Sequence, residues 1–163
     1  MWLASEVGHG STFGFAFPVR RARVEPPDAG APGATSIVVI EDDRPSLDLL
    51  TAYLSGAAIR VVAAREGTSG LEAVRREQPS AVLLDIRMPG IDGWEVLRAL
   101  KADTRTEHIP VVVVSIVDER SRGAALGAAG YLVKPVSRDD LMSALTAIGL
   151  PVGASTPVAG QAP

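Results

Sequence analysis

Five short aliphatic runs recur along this chain, each closed by a polar residue and separated from the next by a longer stretch. They are Ile37–Ile40, Ile59–Ala63, Ala81–Leu84, Val111–Val114 and Tyr131–Val133. Several are apolar at every position. A strand with one wet face alternates apolar and polar residues, so continuous apolar runs predict strands covered on both faces. The stretches between them supply the covers. Leu47, Leu50 and Leu54 fall on one helix face, as do Leu141, Leu145 and Ile148. Pro45 suits a first helical turn. Ser69 with Glu72, and Ser137 with Asp140, have the spacing of an N-cap hydroxyl and its acidic partner. Alternating strands and helices predict five βα units, hence an α/β domain on a parallel sheet with helices on both faces.

Composition narrows the function classes. Apolar residues make up 47% of the chain, as in a globular domain, and the net charge of -3 gives no electrostatic case for nucleic acid as a partner. The absence of cysteine removes disulfides, thiol catalysis and cysteine-ligated zinc, and fits a reducing compartment. The longest apolar runs, such as "VVVVSIV", are too short for a membrane segment, and "MWLASEVGHG" lacks the basic and apolar regions of a secretory signal. A cytoplasmic protein is expected. Four parts follow from the distribution of Pro and Gly: an N-terminal piece 1–20, a flexible linker 21–35, a compact domain 36–149 and a disordered tail 150–163.

In parallel sheets, ligands bind at the carboxyl ends of the strands. The first run ends in Glu41, Asp42 and Asp43, the third in Asp85, the fourth in Ser115 and the fifth in Lys134. The second ends in "AREG", which carries no obvious chemistry. If these ends converge, Glu41, Asp42 and Asp85 repel one another by roughly 3 kcal/mol per pair at an effective dielectric near 20. That cluster is unstable unless a cation sits among the acids or one of them stays protonated. A hard divalent cation solves it, and so few carboxylates favour Mg²⁺ over a full Ca²⁺ cage. Mg²⁺ with open positions suits phosphoryl groups. Lys134 adds a second positive charge and Ser115 a hydroxyl donor. Asp85 is the natural nucleophile, since an aspartate carboxylate can attack phosphorus to form an acyl phosphate. The following loop, "MPGIDG", has Pro89, Gly90 and Gly93 to allow close approach. Asp43 is read as an N-cap before Pro45. Trp94 is read as surface or helix packing, and His9 and His108 as structural loop residues.

Taken in order, "IVVIEDD", "VLLDIRMPGIDGWEVL", "VVVVS" and "GYLVKP" resemble the receiver domain of two-component response regulators over the region 36–149. The resemblance implies a flavodoxin-like (CheY-like) three-layer sandwich, with a five-stranded parallel sheet of order 2-1-3-4-5. It implies that Asp85 is phosphorylated from a kinase phosphohistidine, with a histidine kinase or phosphotransfer protein as partner. It places Mg²⁺ on Asp42, Asp85 and the carbonyl of Arg87, with Glu41 completing the acidic pair. Ser115 and Tyr131 become the switch pair, Lys134 the phosphate-binding base, and Lys134–Pro135 a cis peptide. The sequence departs from the common pattern in having Ser rather than Thr at 115. Ile116 stands where a small residue is usual, which is expected to narrow access to the site. The stretch "DERSRGAALGAAG" leaves room only for a short fourth helix.

The N-terminal "GHGSTFGFAFP" resembles the final hairpin of histidine-kinase ATP-binding domains. It places Phe13, Phe15 and Phe17 on one strand face and implies the C-terminal part of a hybrid sensor histidine kinase. The ATP-binding core is not in this chain, so enzymatic activity beyond self-catalysed phosphoryl transfer and dephosphorylation stays open. Two other functions remain for the compact region. One is a Mg²⁺-dependent hydrolase with an aspartyl-phosphate intermediate, though Arg87 stands where such enzymes usually carry a second acid. The other is a non-phosphorylated binding domain on the same fold.

Overall fold

The computed structural model describes residues 2–5, 11–14, 35–57, 59–150 and 152, with side chains from 35 onward. The chain divides into two units, residues 1–31 and 32–163. In the first, β1 (Trp2–Ser5) pairs antiparallel with β2 (Ser11–Gly14), with Leu3 opposite Phe13. Phe15, Phe17 and His9, the linker expected over 21–35 save for Thr35, and the tail save for Leu150 and Val152, lie outside the described residues.

The second unit runs β3 (Ser36–Ile40), α1 (Arg44–Ser55), β4 (Arg60–Ala64), α2 (Gly67–Glu77), β5 (Ala81–Asp85) and α3 (Gly93–Ala102). It continues with β6 (Val111–Ser115), α4 (Arg120–Ala125), β7 (Gly130–Val133) and α5 (Arg138–Ala147). Its five strands are all parallel, in the order β4-β3-β5-β6-β7. Counted within this sheet alone, that is 2-1-3-4-5. The order reverses between β3 and β5, and there a crevice opens at the carboxyl ends.

β3, β5 and β6 are buried at every position, as their unbroken apolar runs require. The strand period of two divides their side chains between two cores. Val38, Ile40, Val82, Leu84, Val111 and Val113 face Val74 of α2 and Trp94, Val96, Leu97 and Leu100 of α3. Ile37, Val39, Ala81, Leu83, Val112 and Val114 face Leu47, Leu50 and Leu54 of α1 and Leu141 and Leu145 of α5. Each such leucine gains about 1.5–3 kcal/mol from burial, so truncating fully buried Leu54 to Ala would cost about 2–5 kcal/mol. The edge strands β4 and β7 are only half-buried.

Local chemistry starts the helices. The Asp43 carboxylate accepts from the Ser46 N–H at 3.0 Å and the Ser46 hydroxyl at 2.8 Å, capping α1 just before Pro45. Ser137 and Asp140 form a reciprocal capping box on α5. The Ser69–Glu72 expectation fails. α2 begins at Gly67 after Glu66, and Ser69 lies inside the helix, its hydroxyl donating back to the Glu66 carbonyl at 3.0 Å. The N-cap spacing was present, but the first turn had already closed. Among the described residues no helix is long and apolar enough to cross a membrane.

Candidate functional site

Glu41, Asp42 and Asp85 meet because β3 and β5 are neighbours in register, with Ile40 beside Leu84, so the residues following each pair emerge together. Their carboxylates offer oxygens that all lie within 4.8 Å of one another. Glu41 is 1% exposed and Asp85 5%. Lys134, just past the end of β7, reaches across the sheet and donates to Glu41 Oε2 and Asp85 Oδ2, each at 2.7 Å. Asp85 Oδ1 accepts the Arg87 backbone N–H at 2.9 Å. Glu41 Oε1 accepts the Asp43 N–H at 3.3 Å. The Lys134–Pro135 peptide is cis.

One ammonium faces three carboxylates, so the cluster keeps an excess of negative charge. Burial pushes Glu41 up to about 7; the hydrogen bond from Lys134 pulls it down, and the Asp85 charge pushes it up again. Burial works against the charge on Lys134, but its bonds to Asp85 and Glu41 hold the ammonium above its ordinary range. The half-buried Asp42 carboxylate has no hydrogen-bond partner among the described residues. An unpartnered carboxylate beside a carboxyl that burial drives toward protonation is a donor set suited to a hard divalent cation.

The remaining candidates are arranged around this centre. Ser115 is buried at the end of β6, its hydroxyl accepting from the Val117 N–H at 3.3 Å. Its carbonyl accepts the Lys134 N–H at 2.8 Å, tying the two strand ends together. Tyr131 is not part of the acid cluster. Its hydroxyl donates to the Val117 carbonyl at 2.5 Å and accepts the Glu119 N–H at 3.2 Å, which anchors the segment between β6 and α4. Arg87 contributes through its backbone, and its side chain is exposed. Ile116 is 63% exposed and lines a groove of about 380 Å³ with Leu49, Leu50, Lys134, Pro135 and Val136. The fourth helix is short, as its sequence suggests, with six residues.

One contributor escaped the sequence. Arg65, from the "AREG" that seemed empty, donates to the Asp42 carbonyl at 3.0 Å. The pairing of Ile40 with Ala64 places it there, and only the register could have shown it. Of the two readings of Trp94, surface or helix packing, the second holds: it is 2% exposed in the core beneath α2 and α3, and the Arg122 guanidinium sits 4.6 Å from its ring centroid. The first turn of α3 packs this ring into the core, while His108 stays exposed.

A family model described as the response regulator receiver domain matches residues 37–146. Protein PilH of Pseudomonas aeruginosa is 35% identical over 115 residues, covering 69% of this chain and 95% of PilH. Response regulator PleD of Caulobacter vibrioides is 39% identical over 109 residues, 65% of this chain and 24% of PleD, so the chain spans about a quarter of that relative. Among solved structures, the receiver domain of the sensor histidine kinase PA1611 from Pseudomonas aeruginosa aligns with a TM-score of 0.65 at 24% identity. That alignment covers 72% of this chain and 99% of the PA1611 chain, whose structure holds a magnesium ion coordinated in the active site cleft.

Proposed function

The chain belongs to the response regulator receiver domain family, and we propose that Asp85 is the residue on which it accepts phosphate. The family places it in two-component signalling, as a phosphoacceptor that works with kinase or phosphotransfer partners. One observation carries the assignment to Asp85. It is a buried carboxylate with one oxygen held by the Arg87 N–H and the other by Lys134, at the centre of the acid cluster.

In this reading an Asp85 carboxylate oxygen attacks the phosphorus of a phosphohistidine. A P–O bond forms, the P–N bond breaks, and the imidazole leaves. Asp42, Asp85 and the Arg87 carbonyl, with Glu41 beside them, would hold Mg²⁺, which when bound would neutralise charge on the phosphoryl oxygens. Lys134 is already paired to the nucleophile and moves its ammonium to a phosphoryl oxygen as the Asp85 charge is spent. The Ser115 hydroxyl follows the same group, since its oxygen is engaged only as an acceptor and its proton is available to donate. A phosphoryl group adds close to two negative charges at neutral pH. Re-pairing of Lys134 and Ser115 then alters the β6–α4 segment that Tyr131 anchors, and output follows through partner binding.

The organisation into a kinase-derived hairpin, a linker, a receiver over 36–149 and a tail belongs to the same proposal. Its support is the antiparallel β1–β2 pair together with the "GSTFGFAFP" pattern. Reading the DNA upstream of Met1 in frame tests whether an ATP-binding core is encoded there.

The test is incubation with acetyl phosphate and Mg²⁺. Stoichiometric, base-labile phosphate on the parent and none on Asp85→Asn is expected. Phosphate retained on Asp85→Asn refutes the assignment. Repeated turnover of a small phosphate ester would instead support the hydrolase reading.

A further inference from the structure

Two glycines in the loop "MPGIDG" exclude a side chain for different reasons, and the second lies against the backbone of Asp85. Gly90 has φ +89° and nothing within 4 Å of where a Cβ would lie, so its torsion alone calls for glycine. Gly93 is not among the glycines with positive φ, and what forbids a side chain there is space. An ideal Cβ at Gly93 would stand 2.3 Å from the Asp85 carbonyl oxygen, 2.6 Å from Ile86 Cα and 3.1 Å from the Asp85 carbonyl carbon. Gly67 and Gly70 are also crowded, but by the ends of side chains, Val96 at 2.7 Å and Ile40 at 2.5 Å. Among the described glycines, only Gly93 would meet backbone closer than 3 Å.

We infer that Gly93 is a positioning residue for the reaction at Asp85. It lets the first turn of α3 press against the end of β5, where its own N–H donates to the Ile86 carbonyl at 3.1 Å. Asp92 fixes the same turn by accepting the Trp94 N–H at 3.1 Å, and Trp94 plants the helix start in the core. The height of the Asp85 backbone, and so the aim of its carboxylate toward Lys134, is set by a contact with no spare room. A methyl at Gly93 forces the two backbones apart by about 1 Å, a displacement that costs up to about 10²-fold in rate when it misaligns reacting groups.

This inference rests on Asp85 being the phosphoacceptor. The full chain is treated with acetyl phosphate and Mg²⁺, and phosphoprotein formation is followed by mass. Gly93→Ala is compared with Leu100→Ala, which opens a cavity at the far end of the same helix, at a temperature where circular dichroism shows both folded. Gly93→Ala is expected to lower the limiting rate at saturating acetyl phosphate by about 10- to 100-fold, with Leu100→Ala within about twofold of the parent. A Gly93→Ala rate within twofold of the parent overturns the inference, as does an equal loss in Leu100→Ala. If Gly93→Ala does not fold, Asp92→Ala carries the test, because it loosens the same turn without adding an atom. A loss of about 3- to 10-fold is expected for it, and a rate within twofold of the parent overturns the inference. A parent that takes up no phosphate refutes the Asp85 assignment itself, whereas a phosphorylated parent with an equally fast Gly93→Ala refutes only the role of Gly93.

Discussion

Replacing Lys134 with Ala removes the one cation among the described residues that pairs with buried Glu41 and Asp85, and the structure fixes how that loss should behave. Each Lys134 contact is 2.7 Å long, which at an effective dielectric near 20 is a gross attraction of roughly 6 kcal/mol. Desolvation of the ammonium cancels much of this. Removing one partner from a buried ion pair costs about 3–5 kcal/mol net, a large share of the roughly 5–15 kcal/mol that holds a domain folded. The remaining repulsion between Glu41 and Asp85 can be relieved in two ways, by a proton or by a metal. Glu41 is already pushed up to about 7 with Lys134 present, chiefly by burial, and without the ammonium it rises further. A carboxyl raised above its unfolded value stabilises the fold fully below that unfolded value, and the contribution is lost as pH rises through about 7 and beyond. Lys134→Ala should therefore be mildly destabilised at pH 6 and strongly at pH 8. Mg²⁺ should restore stability at pH 8, by about 2.7 kcal/mol at a hundredfold excess over its dissociation constant. Urea unfolding at both pH values, with and without Mg²⁺, measures all three effects. A loss independent of pH and untouched by Mg²⁺ would refute the reading of Lys134 as charge compensation.

The same electrostatics give three further outcomes. Asp42→Asn should stabilise the metal-free protein by about 1–3 kcal/mol, because it removes one arm of the repulsion, and should abolish most Mg²⁺ binding; urea melts and calorimetric Mg²⁺ titration check the pair. In the parent, Mg²⁺ binding should expel the Glu41 proton, so affinity should fall about tenfold from pH 8 to pH 6, and Glu41→Gln should flatten that dependence. Tyr131→Phe deletes the hydroxyl that holds Val117 and Glu119; it should cost about 1 kcal/mol and leave acetyl-phosphate labelling of Asp85 within about twofold, as measured by mass.

The sheet was legible because three central strands have no wet face. Val111–Val114 has no sequence alternative to burial on both sides, and the polar residues closing each run then mark one edge of the sheet. That is why Glu41, Asp42, Asp85, Ser115 and Lys134 could be named together from one dimension. What stayed hidden depends on register and on side-chain reach. The "AREG" that ends β4 looked inert until pairing put Arg65 against the Asp42 carbonyl. The start of α2 was misplaced because Ser69 and Glu72 fit a capping pattern by spacing alone, while the backbone had already turned at Gly67. Nor does the spacing of Trp94 say whether its ring faces core or solvent. That depends on how closely α3 approaches β5.

The cost of the acid cluster is placed where the fold can carry it. Glu41 and Asp85 follow directly on Ile40 and Leu84, which are 0% exposed and locked between two helical layers. Strand ends so held cannot splay to relieve charge, and the described side-chain polar atoms that are buried all have hydrogen-bond partners. The repulsion therefore stays in the site as a demand for a cation or a proton. Lys134 meets part of that demand and the raised Glu41 shows what is left. A group that brings positive charge is attracted to such a centre. If Asp85 is the phosphoacceptor, as proposed, a phosphoryl group arriving alone would be repelled here, and a cation bound among the acids would relieve that repulsion.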